Sequence, residues 1–302
     1  MADTSHSFKQ RILTVPVLGY FLRALIALKN SDQSLQRALE LEQRFEQLNN
    51  SLNERQQNFK LNMARALAKK QNIDNSYTVI NQQPFLNNDL DDLYIAFENQ
   101  FRGTAKEIQQ QQAKYLPFLS ALAQNISKPL KVLDIGCGRG EWLRLLSELN
   151  YECHGVDLSH TMVEFCLLEG FQATQGDAIA YLETQDDNSL HVITAFHVIE
   201  HLTFEHMVHL FDQCLRVLKP GGKIIFETPN PENLTVGAYS FYLDPTHKNP
   251  LPPITVEFIA RQRGFSQIDI YRYNPRQEVG DTSPLIENWF KSPVDFAVVA
   301  EK

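Results

Sequence analysis

The stretch LKVLDIGCGRGEWLRLL (130–146) decides the architecture. It opens as a mainly apolar run of strand length, turns on three alternate glycines, and continues through EWLRLLSEL (141–149) with the spacing of an amphipathic helix. The glycines matter for more than the turn. Without a Cβ, the backbone there can fold back sharply and come close to a ligand.

Outward from this unit the same alternation repeats. YECHGVDLS (151–159), FQATQGD (171–177), LHVITAFHV (190–198), GKIIFETPN (222–230), FSQIDIYRYN (265–274) and VDFAVVAEK (294–302) read as strands. Between them MVEFCLLEG (162–170), AIAYLETQ (178–185), FEHMVHLFDQCLRVL (204–218) and ITVEFIARQRG (254–264) read as helices, the third ending at KPGG, where Pro220 and Gly221 stop it. The pattern predicts an α/β fold, a doubly wound seven-stranded, mostly parallel sheet covered on both faces. Ligands of such sheets sit at the carboxyl ends of the strands, where the strand order reverses.

The N-terminal third differs in character. Residues 1–30 contain the apolar run ILTVPVLGYFLRALIAL (12–28), interrupted by Pro16, Gly19 and Arg23 and short of the ~20 residues of a membrane span. It is expected to form an apolar helix, packed on a partner or on the domain, or lying at a membrane surface with Arg23 and Lys29 at the headgroups. Over residues 31–70 the apolar positions Ala38, Leu41, Phe45, Leu48, Leu52 and Phe59 keep heptad spacing, broken at Arg55. Both an amphipathic helix on its own domain and a short coiled coil joining two copies fit this pattern. Residues 71–92, rich in Asn and Asp without periodicity, read as a linker to the domain at 93–302, whose core is 125–302.

Composition excludes several classes. The 302-residue chain is 43% hydrophobic and 21% charged, the balance of a folded soluble protein. Its net charge of −8, with no dense Lys/Arg stripe, argues against a nucleic-acid partner. Cys137, Cys153, Cys166 and Cys214 show neither C-x-x-C spacing nor a disulfide framework, and MADTSHSFKQR lacks a secretory signal's pattern. The expected location is cytoplasmic, with peripheral attachment to the inner face of the membrane as the role left to the apolar helix.

Three successive strand ends carry groups suited to one nucleoside-containing ligand. The loop Gly136-Cys137-Gly138-Arg139-Gly140 follows the first strand. Asp157 ends the second, where a carboxylate can accept from two ribose hydroxyls, and Asp177 ends the third, where it can meet an adenine amino group.

In order and spacing, VLDIGCGRGEWL, HGVDLS, QGDA and LKPGGKIIFETPN resemble the motif series of class I S-adenosylmethionine-dependent methyltransferases, a Rossmann-like fold. The resemblance implies that Gly136, Gly138 and Gly140 line the methionine portion and that Asp134 orients the loop and the cofactor ammonium. It further implies that Asp157 and Leu158 hold the ribose side, that Asp177 with Ala178 reads the adenine, and that His197 borders the cofactor. Arg102, just before the capping box Thr104-x-x-Glu107, is placed to pair with the cofactor carboxylate.

The fourth strand leaves through Phe196-His197-Val198-Ile199-Glu200-His201. The letters H-x-x-E-H also occur in zinc proteases, but there both His share one face of a helix, which a strand entering a turn cannot provide. The stretch is similar to E-x-x-E-H of ubiquinone-pathway O-methyltransferases, with His197 in place of the first acid; no metal is assigned here.

His201 and His247 are candidate bases, with Asp244 orienting His247. His247 lies in a Pro-rich insertion (229–253), whose TPNPEN and SFYLDPTHKNPLPP resemble methyltransferases of bacterial O-antigen and other surface polysaccharides. That resemblance implies a glycan acceptor. The alternatives are a small-molecule acceptor of quinone or secondary metabolism, or a noncatalytic cofactor-binding scaffold.

Overall fold

A computed structural model describes residues 32–74, 93, 97, 100–124, 126, 129–275 and 289–302. The expected apolar helix of residues 1–30 lies outside them, as do 75–92, most of the expected linker. Helix α1 runs over Asp32–Asp74, four residues beyond the helix the sequence predicts. The chain divides into two units, residues 1–60 and 61–302. In the first, the heptad residues Phe45, Leu48 and Leu52 are exposed, as is Phe59 at 70%. In the second, Leu61 and Ala64 pack with Met162 and Phe165.

The second unit then runs α2 (Ala105–Gln112), a 3-10 turn (Ala113–Tyr115), α3 (Leu116–Ala123), β1 (Lys131–Ile135), α4 (Glu141–Glu148), β2 (Glu152–Asp157) and α5 (His160–Leu168). It continues with β3 (Ala173–Gln175), α6 (Ala178–Glu183), β4 (Leu190–Phe196), a 3-10 turn (Ile199–His201), α7 (Phe204–Val217) and β5 (Leu218–Pro229). The last elements are α8 (Leu234–Ala238), a 3-10 turn (Ser240–Leu243), α9 (Pro253–Arg263), β6 (Ser266–Pro275) and β7 (Pro293–Glu301).

The seven strands form one sheet in the order β3-β2-β1-β4-β5-β7-β6, with β7 antiparallel to both of its neighbours and the remaining pairs parallel. This is the doubly wound architecture the sequence predicts. The order reverses between β1 and β4, so the switch point falls at the glycine loop.

Alternation along the strands builds two cores. Leu133 and Ile135 of β1, Ile193 and Ala195 of β4, and Ile224 and Phe226 of β5 meet α7 and α9 through Leu210, Phe211, Val256 and Ile259. Val132, Val192 and Ile225, one residue out of step, meet Tyr115, Leu119 and Trp142 on the other face.

Three local expectations need correction. The fifth strand begins earlier than predicted, at Leu218 directly after α7, so Pro220 and Gly221 lie within it; Gly221 N donates to Lys302 O at 3.1 Å, and Gly222 O accepts from Lys302 N at 2.9 Å. The fourth strand ends at Phe196, because His197 takes a left-handed backbone at φ 57°. β3 is only three residues long, so Asp177 caps the next helix rather than ending the strand.

Candidate functional site

On the cofactor side, backbone and glycine define the shape. Gly136, Gly138 and Gly140 all have positive φ, at 66°, 51° and 76°. A Cβ on Gly136 would lie 2.5 Å from Val198 Cγ2, so that position excludes any side chain. Gly138 N donates to Asp157 Oδ2 at 2.9 Å and Ser159 N to Oδ1 at 2.8 Å, fixing the Asp157 carboxylate against the loop. Leu158 beside it is 59% exposed.

Asp134 is buried and accepts from Thr194 Oγ1 at 2.7 Å. Burial pushes its carboxyl up to about 7, against the Thr194 bond and the Arg102 charge. Asp177 Oδ1 accepts from Ile179 N at 3.0 Å and Ala180 N at 2.9 Å, capping α6 ahead of Ala178.

Arg102 lies at this loop despite its distance in sequence. Its Nη2 donates to Phe196 O at 3.4 Å, and a Cβ on Gly138 would sit 3.6 Å from its Nη1. The predicted capping box of Thr104 and Glu107 is formed and starts α2. Arg139, which the sequence reading left without a role, ties the segment down by donating to Glu141 Oε1 at 2.7 Å and Gly103 O at 3.3 Å.

Beyond the switch point the site is built from ionisable side chains. His197 Nδ1 lies 3.4 Å from Glu200 Oε1, and its Nε2 lies 3.6 Å from Glu227 Oε1 and 3.8 Å from Asp295 Oδ1. These are ion-pair separations, longer than hydrogen bonds. Burial disfavours the imidazolium, but three carboxylates around the ring outweigh it and raise the His197 pKa well above the ordinary value. A left-handed backbone at a non-glycine residue is a conformation that packing has to hold in place.

Glu227 is also paired with Lys114 Nζ at 2.6 Å and accepts from the Tyr115 hydroxyl. Burial pushes the Glu227 carboxyl up, but His197 and Lys114 overcome this and hold it at about 2. The sequence reading missed Lys114, Tyr115, Glu227 and Asp295. A glutamate inside IIFETP and an aspartate opening DFAVVA were signals, as charges inside buried strands; Lys114 and Tyr115 carried none.

The insertion closes over the turn after β4. Lys248 N donates to Glu200 O at 2.9 Å, and the rings of His201 and His247 meet edge to face with centroids 4.7 Å apart. His201 Nδ1 contacts Thr246 Oγ1 at 2.9 Å; His247 Nδ1 donates to Phe241 O at 2.6 Å. Asp244, expected to orient His247, lies 3.9 Å from its Nε2 and instead accepts from Thr246 Oγ1 at 2.6 Å. Desolvation, with His247 nearby, lowers the His201 pKa from its ordinary value, against the pull of the Glu200 and Asp244 carboxylates.

One ligand atom from each of Glu200, His201 and His247 lies within 4.8 Å of the others. A cavity of about 200 Å³, lined by Pro229, Val236, Ser240, Phe241, Val294 and Asp295, touches the first ionisable cluster through Asp295, and its Phe241 packs on the His247 ring. A second, of about 250 Å³, opens at the amino ends of β1, β2 and β4, at the opposite edge of the sheet.

The fold that carries this site is shared with known proteins. A family model described as a methyltransferase domain matches residues 107–268, over half of the chain. The crystal structure of an S-adenosylmethionine-dependent methyltransferase from Archaeoglobus fulgidus superposes with a TM-score of 0.60 and 31% identity, covering 69% of this chain and 99% of that one. The chain belongs to the S-adenosylmethionine-dependent methyltransferases.

Among curated relatives of the methyltransferase, a ubiquinone biosynthesis O-methyltransferase from Idiomarina loihiensis is 33% identical over 105 residues, 33% of this chain and 42% of that protein. One of the same name from Bordetella avium is 26% identical over 176 residues, 51% of this chain and 71% of that protein. The match thus spans less than half of the Idiomarina protein's length. Neither relative is a surface-polysaccharide enzyme by name. Among the described residues, no helix is long and apolar enough to cross a membrane.

Proposed function

We propose that this methyltransferase moves the methyl group of S-adenosylmethionine to a hydroxyl oxygen of a small-molecule acceptor, with His201 as general base. The observation that carries this is a half-buried imidazole after β4, edge to face with His247, whose ring packs on the cavity-lining Phe241. A cavity of about 200 Å³ suits the reacting end of a small acceptor better than a run of sugars. The names of the curated relatives favour the same class, whereas the surface-glycan reading rests on the sequence of the insertion alone.

Methyl transfer is an in-line displacement at a carbon that the sulfonium already activates. The protein's part is to align oxygen and methyl and to take up the hydroxyl proton. Glycines 136, 138 and 140 with Asp157 would hold the cofactor at the switch point, with Asp134 available to its ammonium and Arg102 to its carboxylate. His201→Ala should lower kcat for a simple catechol by at least ~100-fold while leaving S-adenosylhomocysteine affinity unchanged. Wild-type turnover by that variant at saturating acceptor would discard His201 as the base. Transfer of labelled methyl into lipid-linked glycan extracts, with none into catechols, would replace the small-molecule reading by the glycan one.

A second reading has one observation behind it, the convergence of Glu200, His201 and His247. Two imidazoles and a carboxylate suit a divalent transition cation, which would occupy the His201 lone pair and exclude its use as a base. Turnover that survives exhaustive chelation rules this reading out.

The N-terminal third has a proposed role of its own. We infer self-association through the heptad helix and membrane-surface attachment through residues 12–28. Deleting residues 1–60 should reduce the solution mass to a monomer's and abolish binding to anionic vesicles. Equal mass and equal vesicle binding before and after deletion would end both ideas.

A further inference from the structure

Asp244, Thr246 and His201 form a chain of contacts whose proton order follows from counting hydrogens. Asp244 Oδ1 accepts from Thr246 N at 2.8 Å and lies 2.6 Å from Thr246 Oγ1. Two oxygens that close repel unless a proton lies between them, and the carboxylate has none to give, so the hydroxyl donates. A threonine hydroxyl owns one proton. Once it is committed to Asp244, Oγ1 can only accept, and its 2.9 Å contact with His201 Nδ1 is a donation from Nδ1–H.

We infer that Thr246 is a positioning residue for methyl transfer, holding His201 as the Nδ1–H tautomer and so reserving the Nε2 lone pair for the acceptor hydroxyl. The inference rests on the assignment of His201 as base. It changes what the insertion is for. Thr246 and Asp244 come from a segment 45 residues beyond His201, so the roof supplies the second half of the base as well as a wall. The roof's own fastening supports this, since Lys248 N donates to Glu200 O at 2.9 Å next to His201.

The chemistry balances with these groups alone. The acceptor oxygen forms its bond to the methyl carbon as the carbon–sulfur bond breaks, and that electron pair stays on sulfur, converting the sulfonium to a neutral thioether. The hydroxyl proton passes to His201 Nε2. The resulting imidazolium keeps its Nδ1–H on Thr246, whose hydroxyl remains directed at the Asp244 carboxylate, so the new charge is met by an arrangement already in place. The proton then leaves to solvent after the product.

The test uses the full chain with 15N-labelled histidine, bound to S-adenosylhomocysteine, at a pH where the imidazole is neutral. Long-range proton–nitrogen spectra report which ring nitrogen carries hydrogen, and His201 is identified by the signal lost in His201→Gln. The wild type and Thr246→Ser should show Nδ1–H at His201, whereas Thr246→Val should show a mixture or the Nε2–H form. With a catechol acceptor, Thr246→Val should lower kcat at least ~10-fold without changing the KM for S-adenosylmethionine, and Thr246→Ser should restore it, as part of the ~10²–10⁴-fold a general base contributes. A wild-type His201 protonated on Nε2, or a Thr246→Val protein that keeps Nδ1–H, overturns the inference. The wild-type spectrum decides even if the valine variant fails to fold. Normal turnover by His201→Ala would remove the base assignment while leaving the tautomer result standing, so the two failures are distinguishable.

Discussion

The halves of the site proposed for cofactor and for acceptor meet at the switch point but are built on different principles. Around β1, β2 and β3 the geometry comes from backbone: left-handed glycines, amide groups on the Asp157 carboxylate, and amide groups on Asp177 at a helix start. Around β4 and β5 it comes from side chains delivered from far apart, with Lys114, His197, Glu227 and Asp295 sharing one cluster and His201, Asp244, Thr246 and His247 another. A backbone-built half binds a constant ligand the same way whatever decorates it. A side-chain-built half can change acceptor by changing residues, at the risk of burying charges that depend on each other.

That dependence gives the largest expected effect. Glu227 compensates both Lys114 and His197 inside the protein. Glu227→Gln should therefore cost about 3–5 kcal/mol of folding stability, the usual penalty for leaving buried charges without their partner. Urea unfolding monitored by circular dichroism would measure it. A loss under 1 kcal/mol would mean that water reaches the cluster freely, which would erase the contrast between the halves.

How legible each half is in the sequence follows from the same difference. The glycine loop, Asp157 and Asp177 occupy short segments whose local pattern dictates strand, turn or helix start, and the sequence brings them to the switch point, though it reads Asp177 as a strand end where the structure makes it a helix cap. The Thr104 capping box was legible because a helix start has a signature four residues long, and Arg102 just before it lies against the loop. Thr246 was invisible because its meaning depends on a contact with His201, 45 residues away. Lys114 and Tyr115 were hidden more deeply still: nothing in QQAKYL says that the helix end will face Glu227. The seven strands of the sheet were readable from their apolar runs, although the bounds of β3 and β5 were not. Nor was the boundary at Phe196, since His197 holds a left-handed backbone among carboxylates contributed by the adjoining turn, β5 and β7.

A pH measurement sharpens the comparison from the cofactor side. Burial holds the Asp134 carboxyl at about 7 in the folded protein, whereas in the unfolded chain it ionises near ~3.9. The folded state therefore binds more protons across that window, so this group's contribution is fully present below pH ~4 and is lost as pH rises through about 7. The slope attributable to one proton is at most about 1.4 kcal/mol per pH unit. Asp134→Asn, which cannot titrate, should flatten the stability profile between pH 4 and 7. Identical profiles for the two proteins would show that Asp134 is ionised when folded and stabilised by Arg102 and Thr194.

The smallest effect discriminates most finely, because Asp177 has two roles on one carboxylate. Oδ1 is engaged by the amides of Ile179 and Ala180, a structural duty. Reading an adenine amino group would fall to the other oxygen, which has no hydrogen bond among the described residues. Asparagine caps helices as well as aspartate does, so Asp177→Asn should preserve stability within about 0.5 kcal/mol, whereas Asp177→Ala should lose about 1 kcal/mol. The cofactor should judge them differently. In the asparagine variant the single acceptor oxygen stays on the helix amides, and the group presented outward is an NH₂, a donor meeting the adenine's own donor. Affinity for S-adenosylhomocysteine, measured by calorimetry, should then fall by about 1.5–3 kcal/mol, the worth of a hydrogen bond to a charged group. If Asp177→Asn binds as tightly as the wild type, Asp177 is a cap and nothing more, and the adenine is held by Leu158 and the strand-end backbone.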